Sequence, residues 1–250
     1  MNLKNKKILI TGATGGIGNS LIEKFDHFGS SIVATGTNEE KLKNLKSKYP
    51  NITVEKFKLD DHSKIEDFIE TINSKLDGLD ILVNNAGITL DNLSIRLTEE
   101  NWKKVIDINL TSTFLMCKYA IKKMLKNKYG KIINIASHGG RKPRGIGDMH
   151  RGNVQTPYLV SKAAVIQYTH LLAIELGKYN INVNSICPSP TYTDIVKKLV
   201  TKRAKEQNKT EKEIMDYYMR DVPLGRFNDP DDIASMVIFL SSSGARNITG

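Results

Sequence analysis

Lys7-Ile8-Leu9-Ile10-Thr11-Gly12-Ala13-Thr14-Gly15-Gly16-Ile17-Gly18-Asn19, near the start of the chain, decides the fold. Lys6 to Ile10 alternates poorly and ends in the apolar run Ile8-Leu9-Ile10, the pattern of a central parallel strand covered on both faces. Four glycines follow, and Asn19 to Phe25 then carries apolar residues at helical spacing. Strand, glycine turn and helix start together form an anion site, because glycine lets the backbone approach and the free N–H groups favour negative charge. Gly12, Thr14, Gly15, Gly16, Ile17 and Gly18 are therefore candidates to cradle a phosphate. The spacing is Gly12-x-x-x-Gly16-x-Gly18, and a plain tight turn is the simpler alternative.

The rest of the chain repeats the alternation. Strands are expected at 31–35, 52–59, 79–83, 131–136 and 181–187. Helices are expected at 39–48, 62–76, 98–108, 111–126, 157–176 and 233–240, with a charged helical stretch over 191–218. This order predicts an α/β chain: a single domain over residues 1–250 with a Rossmann-type, doubly wound parallel sheet. Ligands of such sheets bind at the carboxyl ends of the strands. Gly12, Asp60, Asn85 and Ser137 each follow an expected strand, so they should share one edge. Residues 138–156 form a long loop at that edge, and 189–221 reads as a lid.

Bulk properties narrow the function. The chain has 250 residues, 40% hydrophobic and 26% charged, as in ordinary globular protein. No apolar run approaches the roughly 20 residues needed to cross a bilayer, and no signal-peptide core precedes the first strand. A cytoplasmic location without membrane attachment is the expectation. Cys117 and Cys187 lack metal or redox spacing and are expected to be buried thiols. His138 and His150 also lack ligand spacing, so no metal site is expected. The formal charge of +10 favours encounters with anionic partners. The lysines are spread along helix faces, as at Lys41, Lys43, Lys46 and Lys48, and no specific nucleic-acid motif accompanies them.

Tyr158 and Lys162 stand four residues apart on an expected helix, hence on one face within about 6 Å. A free phenol, with a pKa of about 10, is a poor base at neutral pH, and a neighbouring ammonium favours its ionised form. Such a pair suits proton exchange with a carbonyl or an alcohol. Taken alone, most such pairs are a half-buried ring beside a solvated charge.

Thr11-Gly12-x-x-x-Gly16-x-Gly18, Asn84-Asn85-Ala86-Gly87, Asn109, Ser137 and Tyr158-x-x-x-Lys162 together resemble the short-chain dehydrogenase/reductase family over essentially the whole chain. The resemblance implies that Tyr158 gives the proton to a substrate carbonyl oxygen and that Ser137 holds this oxygen. It also implies that Lys162 binds the nicotinamide ribose and that Asn109 seats a proton-relaying water. Asn85, Ala86, Gly87, Pro188 and Thr193 would line the cofactor. By themselves, Asn109 could be a helix cap and Ser137 an ordinary strand-end hydroxyl.

Within the family, Asn85 to Leu93 with Arg96, followed by Asp107-Ile108-Asn109-Leu110, is similar to the 3-oxoacyl-(acyl-carrier-protein) reductases. This implies NADPH-dependent reduction of a 3-oxoacyl thioester in fatty-acid synthesis. An acidic carrier protein would be the partner, with Lys128 and Lys178 near docking positions. Gly36 stands where NAD-dependent members carry an aspartate, followed by Thr37 and Asn38, which favours NADP(H) and leaves NAD(H) open.

Three departures mark the chain. The interval from Ser137 to Tyr158, including Gly139 to Arg144, is longer than usual. Ser189 replaces a glycine, and the lid is long. The sequence closes at Asn247-Ile248-Thr249-Gly250 without the family's final strand, although a homo-oligomer is expected where that terminus permits one. The competing readings are a sugar, polyol or other secondary-alcohol dehydrogenase and, ranked below it, a dinucleotide-binding protein without turnover.

Overall fold

The computed structural model describes residues 2–90, 92–142, 155–220 and 222–250. Strands β1 (Lys7–Ile10), β2 (Ser31–Gly36), β3 (Thr53–Lys56), β4 (Ile81–Asn84), β5 (Gly130–Ile135) and β6 (Ile181–Ile186) form one sheet. Their order is β3-β2-β1-β4-β5-β6, and every pairing is parallel. The order reverses at β1, which lies between β2 and β4 and opens a crevice at their carboxyl ends. This is the doubly wound sheet that the alternation predicts.

Helices α1 (Gly16–His27), α2 (Glu39–Lys48) and α10 (Pro230–Ser241) cover one face. Helices α3 (Ile65–Leu76), α5 (Ser112–Asn127) and α7 (Thr156–Leu176) cover the other. Ile8 and Ile10 enter the first core with Leu21, Phe25 and Val237, while Leu9 enters the second with Ile69, Met116 and Leu172. Both faces of β1 are thus dry, which explains its poor alternation. Burial of each such side chain stabilises the fold by about 1.5–3 kcal/mol.

Three segments differ from expectation. The two helices expected on either side of Asn109 form one continuous rod: α4 (Glu99–Ile106), a π-helical turn at Asp107–Thr111, and α5. Asn109 is therefore inside a π turn rather than at a cap. The stretch expected to be helical over 191–218 divides into α8 (Asp194–Glu206) and α9 (Glu211–Met219). Asn208 adopts a left-handed φ of 49°, and Thr210 with Glu213 forms a capping box that restarts the helix. These two helices share a small core of Val200, Ala204 and Ile214. The strand expected over 52–59 shrinks to β3, and Asp60 lies in a turn beyond it.

Among the described residues, β6 has a strand neighbour only on its β5 side. The last residues lie along its open side. Gly250 N donates to Val183 O at 2.9 Å, and the Asn182 and Asn184 amides donate to Ile248 O. A short helical turn, α6 (His138–Arg141), follows β5. The long-loop expectation falls mostly on residues 143–154, which lie outside the described residues, as does His150.

Candidate active site

The glycine turn has the shape an anion needs. Gly12 has a φ of 63°, and a Cβ there would stand 2.8 Å from Ala86 Cα. A Cβ on Gly18 would meet Ala13 Cα at 2.7 Å, so α1 can leave the turn only without it. Gly15 caps α1 with no side chain, and no acid occupies the first turn. The N–H groups at this helix start therefore face the crevice without a competing negative charge. A dinucleotide pyrophosphate fits that donor set. Thr14 lies beside Gly36, whose added Cβ would be 3.2 Å from the Thr14 side chain, so the turn also touches the end of β2.

Thr11, which opens the glycine motif, has a role that its place in the motif does not announce. Its Oγ1 accepts the backbone N–H groups of Asn85 and Ala86, each at 3.1 Å. The Asn85 amide donates to Thr11 O and Gly12 O, each at 3.0 Å. These bonds latch the loop after β4 to the turn after β1. Asn85, Ala86 and Gly87 are thereby fixed against the dinucleotide crevice. On its far side, Thr193 Cγ2 would be 2.8 Å from a Cβ on Gly16. Thr193 also caps α8 through the Val196 N–H, which ties the start of α8 to the glycine turn.

Asn109 is fully buried in the π turn. Its Oδ1 accepts Ile88 N at 2.9 Å, and its Nδ2 donates to Ile88 O at 2.9 Å and to Ser161 Oγ at 3.1 Å. Ser161 Oγ in turn donates to Tyr158 O at 2.7 Å. A continuous hydrogen-bond path thus joins the loop after β4 to the helix bearing Tyr158. Ser161 lies inside the Tyr158-x-x-x-Lys162 motif, yet only the fold reveals its partner.

Lys162 points inward from α7, is 4% exposed, and donates to Ile135 O at 2.7 Å. Its Nζ lies 5.7 Å from the Tyr158 ring centroid. The helical spacing thus brings both groups to the end of β5, as expected. A Cβ on Gly87 would stand 3.4 Å from both Lys162 Nζ and Asn109 Oδ1, so these polar groups converge on a position kept open by glycine. Burial pushes the Lys162 ammonium down to about 8, with the nearby Cys187 thiol acting weakly the other way. The expected flow of influence from lysine to tyrosine has a counterpart: the lysine is itself poised near neutrality by desolvation.

Ser137 follows β5, half-buried, and its Oγ accepts Gly139 N at 3.2 Å. Gly140 lets α6 lie directly on α7, since a Cβ there would be 2.8 Å from Ala163 N. His138 N donates to Pro188 O at 2.9 Å, joining the ends of β5 and β6. Asn228 Nδ2 donates to Ser189 Oγ at 2.9 Å, and Tyr192 N to Asn228 O at 2.8 Å. The serine that departs from the family pattern thus joins the segment after β6 to the segment just before α10.

Other candidates are less tightly placed. Thr37 and Asp60 are exposed beyond β2 and β3, while Pro188 is half-buried beyond β6. Lys128 and Lys178 precede β5 and β6, at the amino edge of the sheet and away from Tyr158. Parallel strands put opposite ends of the chain segments on opposite edges, so within one chain these lysines cannot flank the mouth of the site. Cys117 is buried and its thiol is pushed up to about 12, whereas Cys187 is only half-buried, contrary to expectation. Among the described residues, no cluster of three or more His, Cys, Asp or Glu could hold a metal ion. None of the helices there is long and apolar enough to cross a membrane.

A family model for the short chain dehydrogenases matches residues 6–204. The chain belongs to the short-chain dehydrogenase/reductase family. It is accordingly an NAD(P)-dependent oxidoreductase acting on CH–OH or C=O groups. The 3-oxoacyl-(acyl-carrier-protein) reductase of Rickettsia conorii is 40% identical over 252 residues, and that of Aquifex aeolicus is 37% identical over 257. Each match spans 100% of this chain and 95% of the relative. Among solved structures, an actinorhodin polyketide ketoreductase variant with NADPH is similar at a TM-score of 0.89 and 27% identity, covering 100% of this chain and 95% of that one. Levodione reductase is similar at a TM-score of 0.87 and 26% identity, covering 99% and 94%. In this short-chain dehydrogenase/reductase, Thr11 joins the turn after β1 to the loop after β4, and Ser161 joins Asn109 to the backbone of Tyr158.

Proposed function

We propose that this enzyme reduces a 3-oxoacyl thioester, carried by an acyl carrier protein, to its 3-hydroxyacyl form with NADP(H), as a cytoplasmic step of fatty-acid synthesis. The observation that carries the reading is the convergence of Tyr158, Lys162, Asn109 and Gly87 at the end of β5. Full-length similarity to carrier-protein reductases supports the substrate class.

The glycine turn and the start of α1 would hold the pyrophosphate, with Gly12, Thr14, Gly15, Gly16, Ile17 and Gly18 supplying backbone contact. Thr37 and Asp60 would lie toward the adenosine, and Asn85, Ala86, Gly87, Pro188 and Thr193 along the nicotinamide half. The bound cofactor supplies a hydride to the carbonyl carbon. Tyr158 would donate a proton to the carbonyl oxygen while Ser137 holds that oxygen by a hydrogen bond. The Lys162 ammonium would stabilise the phenolate left behind, and Asn109 would anchor the path by which the proton is replaced. Helices α8 and α9 would close over the acyl chain.

Absorbance at the reduced-nicotinamide band, followed as loss for NADPH and NADH with acetoacetyl thioester and as gain for NADP+ and NAD+ with a panel of sugars and polyols, tests this reading. NADPH oxidation by the thioester is expected. Turnover confined to sugars or polyols would replace it with the secondary-alcohol dehydrogenase reading. Cofactor binding without turnover on any carbonyl would leave a non-catalytic dinucleotide-binding protein.

A further inference from the structure

Gly36 closes β2 at the place where a dinucleotide fold meets the adenosine ribose. It offers no side chain, and Asn38 is occupied as the cap of α2, accepting Lys41 N at 2.9 Å. The neighbouring strand supplies what this segment lacks. Lys56, the last residue of β3, is the register partner of Gly36. Its Nζ lies 3.1 Å from Glu39 Oε2, and Lys43 Nζ lies 3.4 Å from Glu39 Oε1.

Glu39 alone would repel a phosphate at this edge. Two ammonium groups share its carboxylate, hold it below the usual carboxylate range chiefly through Lys56, and leave the trio one unit positive. Glu40 and Lys41 on the same first turn of α2 cancel each other. The Lys56, Glu39 and Lys43 side chains are 54%, 59% and 75% exposed, so a ligand can reach them. Exposed ion pairs of this kind are weak because water screens them, so a phosphate dianion can displace Glu39 readily. A ribose hydroxyl gives no such exchange.

We propose that Lys56, held beside the end of β2 by Glu39, is the specificity-determining residue that reads the ribose 2′-phosphate of NADP(H), with Lys43 as its auxiliary. The assignment rests on the NADP(H) preference proposed above. The side chain comes from β3, outside the glycine turn and outside the segment that follows β2.

Calorimetric titration of the cofactor-free protein with adenosine 2′,5′-bisphosphate and with AMP tests it without any turnover. The wild type is expected to bind the bisphosphate at least about tenfold more tightly, equivalent to about 1.4 kcal/mol. Lys56→Gln should bring the two ligands to within about threefold while leaving AMP affinity unchanged. Glu39→Gln should tighten the bisphosphate alone, because it frees both amines. Equal binding of both ligands by the wild type would overturn the cofactor preference itself. Discrimination that survives intact in Lys56→Gln would overturn the role of Lys56 and leave that preference standing.

Discussion

Asn109 grips the backbone of Ile88 in both directions, its Oδ1 accepting the N–H and its Nδ2 donating to the carbonyl, each at 2.9 Å. Asn109 is fully buried and Ile88 half-buried, so the Asn109 amide has no water to turn to instead. The π turn matters because it carries this side chain out of the α4–α5 rod and toward the loop after β4.

Removal of that grip should be costly. Asn109→Leu takes the partner from the Ile88 N–H and carbonyl and the donor from Ser161 Oγ, and is expected to destabilise the protein by about 2–4 kcal/mol. Urea unfolding of the cofactor-free chain measures this, and a midpoint equal to that of the wild type would show that the hydrogen-bond path is dispensable.

Gly16 and Thr193 predict a steric coupling between the glycine turn and the start of α8. Gly16→Ala places a methyl against Thr193 Cγ2, at the end of a side chain that can yield. The fold should survive, while dinucleotide binding weakens by about tenfold, roughly 1.4 kcal/mol. Adding Thr193→Ser removes the clashing methyl and should restore most of the affinity. Fluorescence titration reads both variants, and failure of the second change to rescue would place the damage in the turn alone.

Tyr158→Phe tests the proton donor. The ring and its packing remain, so cofactor affinity should stay within about twofold, whereas turnover should fall by at least about 100-fold. Activity close to wild type would remove the phenol from the chemistry.

Lys162 predicts an unusual stability profile. Below pH 8 both the folded and unfolded states hold the proton, and the folded state bears the full cost of burying the cation. Between about 8 and 10.5 the unfolded state binds more protons, so stability should rise with pH and level off above that range. The shift corresponds to roughly 3 kcal/mol, partly offset by the hydrogen bond to Ile135 O. Lys162→Met should therefore raise the pH 7 urea midpoint of the cofactor-free protein by roughly 1–2 kcal/mol and flatten the alkaline rise, even as it removes activity. A lowered midpoint would mean that the ammonium is stabilised in place.

Most of the architecture was legible before folding because it rests on local periodicity. The apolar run of β1, the glycines after it and the helical spacing of 65–76 each state their geometry within a few residues. Tyr158 and Lys162 were legible for the same reason, since four residues on a helix fix a neighbourhood. The division of 191–218 into α8 and α9 was also written locally, in Asn208 and the Thr210-x-x-Glu213 box, but high charge and helix propensity on both sides masked it.

What the sequence by itself determined, then, was the alternation of strands and helices, the phosphate turn and the tyrosine–lysine pair, all consequences of short-range spacing. Tertiary structure alone decided that Lys56 stands beside Gly36, that Asn228 locks Ser189, that Asn109 reaches Ser161, and that Lys162 loses its water. Those relations join segments far apart in the chain. They depend on strand order and on burial, and no window of residues encodes either.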